Sequence, residues 1–246
     1  MHNKETKRME IKGIIFDMDN TLVDFMKMKY TAIDAAISSM IDAGLPMDFE
    51  TARAKVFEVY EARGIEYQRV FDEFLEIVLG KIDYKIWAAG IVAYRKSREA
   101  TLVTYPHVHL TLLELAKQGY KMVVVSDAPR REAWLRVTYL GLHHVFDNVI
   151  CFEDTGKRKP DVAPFRKALE SLDLTSDEVI MIGDWPERDM VGAKKLGIRT
   201  VFARYGDTFG TKESGADHEI DDIIELPGIV NQINQSHLMQ EELRVD

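Results

Sequence analysis

The sequence predicts an α/β fold, in which a doubly wound, mainly parallel sheet is interrupted by an α-helical insert. Three observations support this prediction. The largely apolar run IKGIIF at 11–16 stops abruptly at an acidic stretch. Residues 23–100 show only helical periodicity, whereas residues 101–246 alternate short apolar runs with amphipathic segments. We therefore expect a core domain made of residues 1–22 and 101–246, with residues 23–100 as an inserted helical domain.

The insert shows the pattern of consecutive amphipathic helices. From about Asp24 onward, apolar residues recur at spacings of three and four, and this spacing is repeated up to residue 94. Glycine or proline ends the successive periodic segments, at Gly44 and Pro46, at Gly64 and at Gly80.

The core elements follow one another as strands and helices. The first strand is Ile11–Phe16, and the later strands are predicted at 121–125, 148–152, 178–182 and 200–203. Helices are predicted at 107–117, 130–140, 162–172, 187–196 and about 223–234. Such alternation indicates parallel crossover connections. We expect the polar tail after Gln235 to fray.

Composition restricts the partners of the protein. The formal net charge of −9 makes a surface that repels nucleic-acid phosphates and anionic lipid. No segment approaches the roughly 18 apolar residues of a membrane span, and the charged start has no apolar stretch of the secretory kind. Because Cys151 is the single cysteine, no intrachain disulfide can form. We expect a cytoplasmic protein that binds neither nucleic acid nor membrane.

Polar side chains follow four of the predicted strands. They are Asp17 and Asp19, then Ser126 and Asp127, then Lys157, Arg158 and Lys159, and finally Asp184 and Asp189. Ligands of parallel sheets bind outside the carboxyl ends of the strands, so we expect the carboxylates and one lysine to converge. Of the three basic residues, we expect Lys159 to be that lysine and Lys157 and Arg158 to be exposed charges. Converging carboxylates suit a hard cation such as Mg²⁺, while a lysine and a hydroxyl suit phosphoryl oxygens. The pattern predicts phosphoryl chemistry on a small-molecule phosphate ester.

In these residues the chain resembles the haloacid dehalogenase (HAD) superfamily, in its phosphatase branch with a helical cap inserted after the first motif. The matching motifs occur in the family's order: DMDNT at 17–21, Ser126 after an apolar strand, Lys159 before Pro160, and GDWPERD at 183–189. The resemblance covers most of the chain. It implies a Rossmann-like core, a cap domain at 23–100, and a Mg²⁺-dependent phosphatase that acts through an aspartyl-phosphate intermediate.

The resemblance also implies the roles of the catalytic residues. Asp17 is expected to attack phosphorus, and Asp19 to act first as general acid and then as the base for water. Ser126 is expected to hydrogen-bond a phosphoryl oxygen. Lys159 is expected to neutralise charge in the transition state.

A metal site is implied in the same way. Its expected ligands are the Asp17 carboxylate, the main-chain carbonyl of Asp19 and Asp184. Asp189 is expected to bind a metal-coordinated water or to hold the catalytic lysine in place. Thr21 is expected to be a structural or hydrogen-bonding member of the first motif.

Two positions depart from the family's pattern. Asp127 and Trp185 stand where a small or neutral residue is common, so they are candidates for shaping the substrate pocket. In the cap, Phe25, Lys27 and Tyr67 are further candidates for substrate contact. These five residues bear on specificity and not on the reaction itself.

Other functions remain open from the sequence. A dehalogenase of the same superfamily needs neither a metal nor an acid for the leaving group, so Asp19 and Asp184 argue against it. A phosphosugar mutase would retain all four motifs. A non-catalytic phospho-acceptor or binding module of the receiver type also places Asp, Ser or Thr, and Lys at strand ends, but receivers are shorter and lack a helical insert.

Overall fold

A computed structural model describes residues 10–245. Phe25–Val103 forms one compact unit, here called the insert, and the other described residues form a second, called the sheet unit. Residues 1–9 and Asp246, which the prediction assigns to the core domain, lie outside the described residues. Along the described part of the chain, no helix is both long and apolar enough to cross a membrane.

The insert is built from four helices, α1 (Phe25–Asp42), α2 (Phe49–Arg63), α3 (Val70–Leu79) and α4 (Tyr84–Thr101). Asp48 and Asp83 cap α2 and α4, because their carboxylates accept main-chain N–H groups of the first turn. Helix α4 packs closely on α1 at Gly90, where an added Cβ would lie 2.0 Å from Cε of Met40. The apolar residues that recur at helical spacing in the sequence thus form the buried core of this unit.

The sheet unit contains a six-stranded parallel sheet of order β3-β2-β1-β4-β5-β6. The strands are β1 (Gly13–Phe16), β2 (Lys121–Val125), β3 (Asn148–Ile150), β4 (Val179–Gly183), β5 (Arg199–Ala203) and β6 (His218–Ile220). Strand β1 pairs with β2 on one side and with β4 on the other. The strand order reverses between β1 and β4, the switch point where ligands bind in such sheets. The predicted doubly wound α/β fold is confirmed.

Helices cover both faces of this sheet, as in other doubly wound folds. They are α5 (Val108–Lys117), α6 (Arg130–Tyr139), α7 (Phe152–Thr155), α8 (Val162–Leu172), α9 (Val191–Lys194) and α10 (Leu226–Val245). On one face, Phe165 of α8 packs in a buried cluster with Ile15, Val123 and Met181 of three strands. Burial on both faces explains why the central strands read as continuous apolar runs.

Three predicted elements differ in the structure. The strand predicted at 148–152 ends at Ile150, because Asp154 accepts the Cys151 N–H at 2.8 Å and starts the short helix α7. The helix predicted at 187–196 begins as a π-helical turn, Pro186–Met190, before α9. The helix predicted at about 223–234 continues to Val245 as α10, through a segment free of glycine and proline, and the fraying expected after Gln235 stays a prediction.

Strand β6 was not predicted. It has only three residues, HEI, and lies at the edge of the sheet beside β5. A short edge strand needs no apolar run, because its pairing rests on main-chain hydrogen bonds. Its sequence therefore carries no periodic signal.

Candidate active site

Two aspartates meet at the switch point of the sheet. Asp17 directly follows β1 and Asp184 directly follows β4, and both are nearly fully buried. The hydroxyl of Thr21 lies 3.2 Å from Oδ2 of Asp17 and 3.5 Å from Oδ1 of Asp184. Because β1 and β4 are paired neighbours, their carboxyl ends bring together residues far apart in the sequence. Thr21 links the two carboxylates.

The ammonium group of Lys159 lies among these carboxylates. It donates to Oδ1 of Asp17 and, at 2.6 Å, to Oδ1 of Asp189. Burial opposes a charge on this side chain, but the two carboxylates outweigh it and raise the pKa of Lys159 above its ordinary value. The lysine is therefore a fixed cation directed at Asp17.

Asp189 reaches the site because of the π-helical turn and Gly183. Its Oδ2 accepts the main-chain N–H of Trp185 at 3.0 Å. A Cβ on residue 183 would lie 2.3 Å from that same oxygen, so only glycine leaves room for the carboxylate. Single π turns of this kind occur often at functional sites.

The three carboxylates Asp17, Asp184 and Asp189 form a donor set that fits a divalent cation. Their oxygens lie within 4.8 Å of one another, and all three residues are buried. Burial and the charge of Asp17 raise the pKa of Asp184 well above the usual carboxyl range, and burial raises the pKa of Asp189 as well. Lys159 brings one positive charge against three carboxylates. A hard cation with oxygen ligands would offset the remaining repulsion.

Asp19 forms an ion pair that the sequence analysis missed. Arg136 donates from Nη1 to Oδ2 of Asp19 at 2.7 Å, and its side chain is only 7% exposed. Arg136 lies on the buried side of α6 together with Ala133 and Val137. A charged residue at helical spacing among apolar ones was the available signal, because such a residue is rarely buried without a partner.

The loop after β2 carries Ser126 and Asp127. Ser126 is buried at the carboxyl end of the strand, and its hydroxyl accepts the N–H of Ala128 at 3.2 Å. The two carboxylate oxygens of Asp127 accept the main-chain N–H of Lys159 at 2.9 Å and Nη1 of Arg188 at 3.1 Å. The substrate contact expected of Asp127 stays a prediction, while both its oxygens are engaged within the sheet unit.

Trp185 lies in a stack beside Asp184. The guanidinium carbon of Arg188 is 3.7 Å from the centroid of the Trp185 ring, and the ring centroid of Phe209 is 4.5 Å from it. Phe209 is exposed, and Trp185 is half-buried. The pocket-shaping role of Trp185 stays a prediction, and Arg188 and Phe209 join it as neighbours that the sequence analysis did not single out.

The three candidates in the insert differ in their exposure. Phe25 is buried, and Lys27 is exposed at the start of α1. Tyr67 is half-buried, and its hydrogen bond with Glu73 raises the pKa of the phenol. Substrate contact by these three residues stays a prediction.

The segment after β5 contacts the main chain of the first motif. The hydroxyl of Tyr205 donates to the carbonyl oxygen of Thr21 at 2.8 Å. Next to it, Gly206 approaches Asn20 so closely that an added Cβ would lie 1.6 Å from the Asn20 carbonyl oxygen. Asn20 itself has a φ of 60°, a conformation that asparagine tolerates better than most residues. The segment after β5, which β4 separates from β1 in the sheet, thus contacts and supports the loop that holds Asp17 and Asp19.

Comparisons with known proteins identify relatives of this chain. The family described as haloacid dehalogenase-like hydrolase matches residues 14–203. A glyceraldehyde 3-phosphate phosphatase of Methanocaldococcus jannaschii is 36% identical over 228 residues, which cover 92% of this chain and 99% of that protein. A protein of the same name from Pyrococcus furiosus is 35% identical over 196 residues, or 80% of this chain and 82% of that protein. Among solved structures, a HAD phosphatase from Thermococcus onnurineus has a TM-score of 0.68 at 24% identity, over 89% of this chain and 98% of that chain.

Proposed function

The chain belongs to the haloacid dehalogenase-like hydrolase family and is a phosphatase within it, and we propose that it hydrolyses glyceraldehyde 3-phosphate with Mg²⁺ as its metal. The predicted family and the predicted phosphoric monoester hydrolase are confirmed by the relatives. The named activity of the archaeal relatives supports the choice of substrate. The observation that carries the mechanism is the convergence of Asp17, Asp184 and Lys159 at the ends of β1 and β4.

In the first step, the carboxylate of Asp17 attacks phosphorus in line with the ester oxygen. The bond between phosphorus and that oxygen breaks, and Asp19 gives the leaving oxygen a proton. In the second step, Asp19 takes a proton from water as the water attacks phosphorus. The bond to Asp17 then breaks, so inorganic phosphate leaves and both aspartates return to their starting states.

The remaining residues orient the phosphoryl group and offset its charge. Lys159 hydrogen-bonds its oxygens, and the hydroxyl of Ser126 donates to another. Asp17, Asp184 and the main-chain carbonyl of Asp19 would hold Mg²⁺, which would supply further positive charge to offset that of the phosphoryl oxygens. Asp189 keeps Lys159 oriented through its 2.6 Å contact.

The test is phosphate release from glyceraldehyde 3-phosphate, other triose and sugar phosphates, phosphoglycolate and an aryl phosphate, with and without Mg²⁺. We expect Mg²⁺-dependent release that is highest with glyceraldehyde 3-phosphate and absent in Asp17→Asn and Lys159→Met. Asp173→Asn is the matched control, because Asp173 is an exposed aspartate at the end of α8 with a φ of 53° that asparagine also adopts.

Other results of this assay would indicate a different function, mechanism or substrate. Isomerised sugar phosphate without release of phosphate would indicate a mutase, and a phospho-enzyme that does not turn over would indicate a phospho-acceptor module. Retained hydrolysis in Asp17→Asn would overturn the proposed mechanism. A different best substrate would overturn the choice of glyceraldehyde 3-phosphate alone.

A further inference from the structure

A closed ring of contacts holds Lys159 at both of its ends. Its main-chain N–H donates to Oδ1 of Asp127 at 2.9 Å, and Oδ2 of Asp127 accepts from Arg188 at 3.1 Å. The guanidinium of Arg188 lies 3.7 Å from the centroid of the Trp185 ring. The main-chain N–H of Trp185 donates to Oδ2 of Asp189 at 3.0 Å. The ring closes at Oδ1 of Asp189, which accepts from Nζ of Lys159 at 2.6 Å. The ring therefore connects the loops after β2 and β4 with the segment that carries the lysine.

The pair of Asp127 and Arg188 contributes little as a plain salt bridge. The side chain of Arg188 is 37% exposed, and ion pairs of exposed side chains stabilise a protein only slightly. Its effect is geometric instead, because the carboxylate of Asp127 is shared between a guanidinium and a main-chain N–H. Stacking on Trp185 further restricts the rotamers of Arg188.

We propose that Asp127 and Arg188 are positioning residues of this phosphatase, which act through Lys159 and do not touch the reacting atoms. The inference rests on the proposed role of Lys159 in offsetting phosphoryl charge. A lysine side chain is long and flexible, so its ammonium keeps one location only if the main chain is also anchored. Release of that anchor lets Nζ drift from the place where charge develops in the transition state.

This role predicts a specific kinetic pattern. Asp127→Ala and Arg188→Gln should each lower kcat for glyceraldehyde 3-phosphate about 10- to 100-fold and leave KM within about threefold. Asp127→Asn keeps an oxygen acceptor for the Lys159 N–H, so it should recover part of the lost kcat. The double variant should be about as slow as Asp127→Ala alone, because both residues act within one ring.

A transition-state analogue separates positioning from simple loss of structure. Across the variants, affinity for orthovanadate should fall in parallel with kcat. The thermal midpoints of the same variants should not follow the order of their kcat values. Arg158→Gln is the matched control, because Arg158 precedes Lys159 and also stacks on an aromatic ring, that of Phe152 at 4.3 Å, but lies outside the ring of contacts. It should retain the wild-type kcat.

Several results would overturn the inference. They are a rise in KM at unchanged kcat, additive losses in the double variant, or an equal loss in Arg158→Gln. If Asp127→Ala does not fold, the kinetics of Arg188→Gln test the inference instead. The side chain of Arg188 is partly exposed, so we expect this variant to fold. Activity that survives in Asp17→Asn and Lys159→Met would instead refute the proposed function, so the two failures are distinguishable.

Discussion

Arg136 on helix α6 holds the carboxylate of Asp19 at 2.7 Å, although 117 residues separate the two in sequence. Asp19 is the proposed proton donor to the leaving group, and Arg136 is buried beneath it. The ion pair therefore bears on how Asp19 is directed at the ester oxygen.

We predict that Arg136→Gln lowers kcat/KM in a way that depends on the leaving group. Hydrolysis of glyceraldehyde 3-phosphate should fall about 10- to 100-fold, because its alkoxide leaving group needs a proton from a correctly placed acid. Hydrolysis of p-nitrophenyl phosphate should fall by less than about threefold, since its phenolate leaves without protonation. The measurement is kcat/KM for both esters.

The control for this variant is Arg131→Gln, which removes an exposed arginine from the same helix. It should affect neither ester. Equal losses on both esters in Arg136→Gln would show that the arginine supports the fold and does not act through Asp19.

We predict that Gly206→Ala destabilises the protein and abolishes hydrolysis. The added Cβ would lie 1.6 Å from the carbonyl oxygen of Asn20, and a main-chain atom cannot move aside as a flexible side chain can. The free energy of unfolding should fall by about 2–3 kcal/mol, the upper part of the usual cost of overpacking. Urea unfolding and phosphate release measure the two effects.

Gly228→Ala is the matched control for that glycine. Gly228 lies in helix α10, and a Cβ there meets no atom within 4 Å. This variant should keep full activity and gain up to about 1 kcal/mol, since alanine favours helix over glycine. A Gly206→Ala protein as stable and active as Gly228→Ala would contradict the close approach to Asn20.

We predict that the chelated protein loses stability as the pH rises above about 4, the ordinary carboxyl range. Burial and the charge of Asp17 raise the pKa of Asp184 in the folded state, so the folded protein retains a proton that the unfolded chain has released. Stability therefore falls with rising pH. Asp184→Asn mimics the protonated form and should melt above the chelated wild type at pH 8, with the difference shrinking toward pH 4.

Addition of Mg²⁺ should make the wild type melt above Asp184→Asn at pH 8. A cation among Asp17, Asp184 and Asp189 offsets their repulsion, so the thermal midpoint of the wild type at pH 8 should rise with Mg²⁺ concentration. Asp184→Asn lacks one proposed ligand and should respond more weakly. Equal Mg²⁺ responses in wild type and Asp184→Asn would show that the cation binds elsewhere.

The sequence by itself determined the fold class of this protein and the strand ends at which its candidate site residues meet. Apolar periodicity separated a helical insert from an alternating core, because burial on one helix face or on both faces of a strand leaves a regular local pattern. Parallel strands all end at one edge, so the residues after them, such as Asp17 and Asp184, could be expected to meet. The structure brings these two aspartates into contact with Thr21.

Only the tertiary structure decided how those residues are held. Arg136 reaches Asp19, Arg188 reaches Asp127 across 61 residues, and Gly206 supports Asn20. Each of these contacts joins loops or helix faces whose relative placement follows from the packed sheet. Local patterns record whether a residue is buried, but they do not record which distant residue it meets, because that partner is chosen by the arrangement of the whole chain.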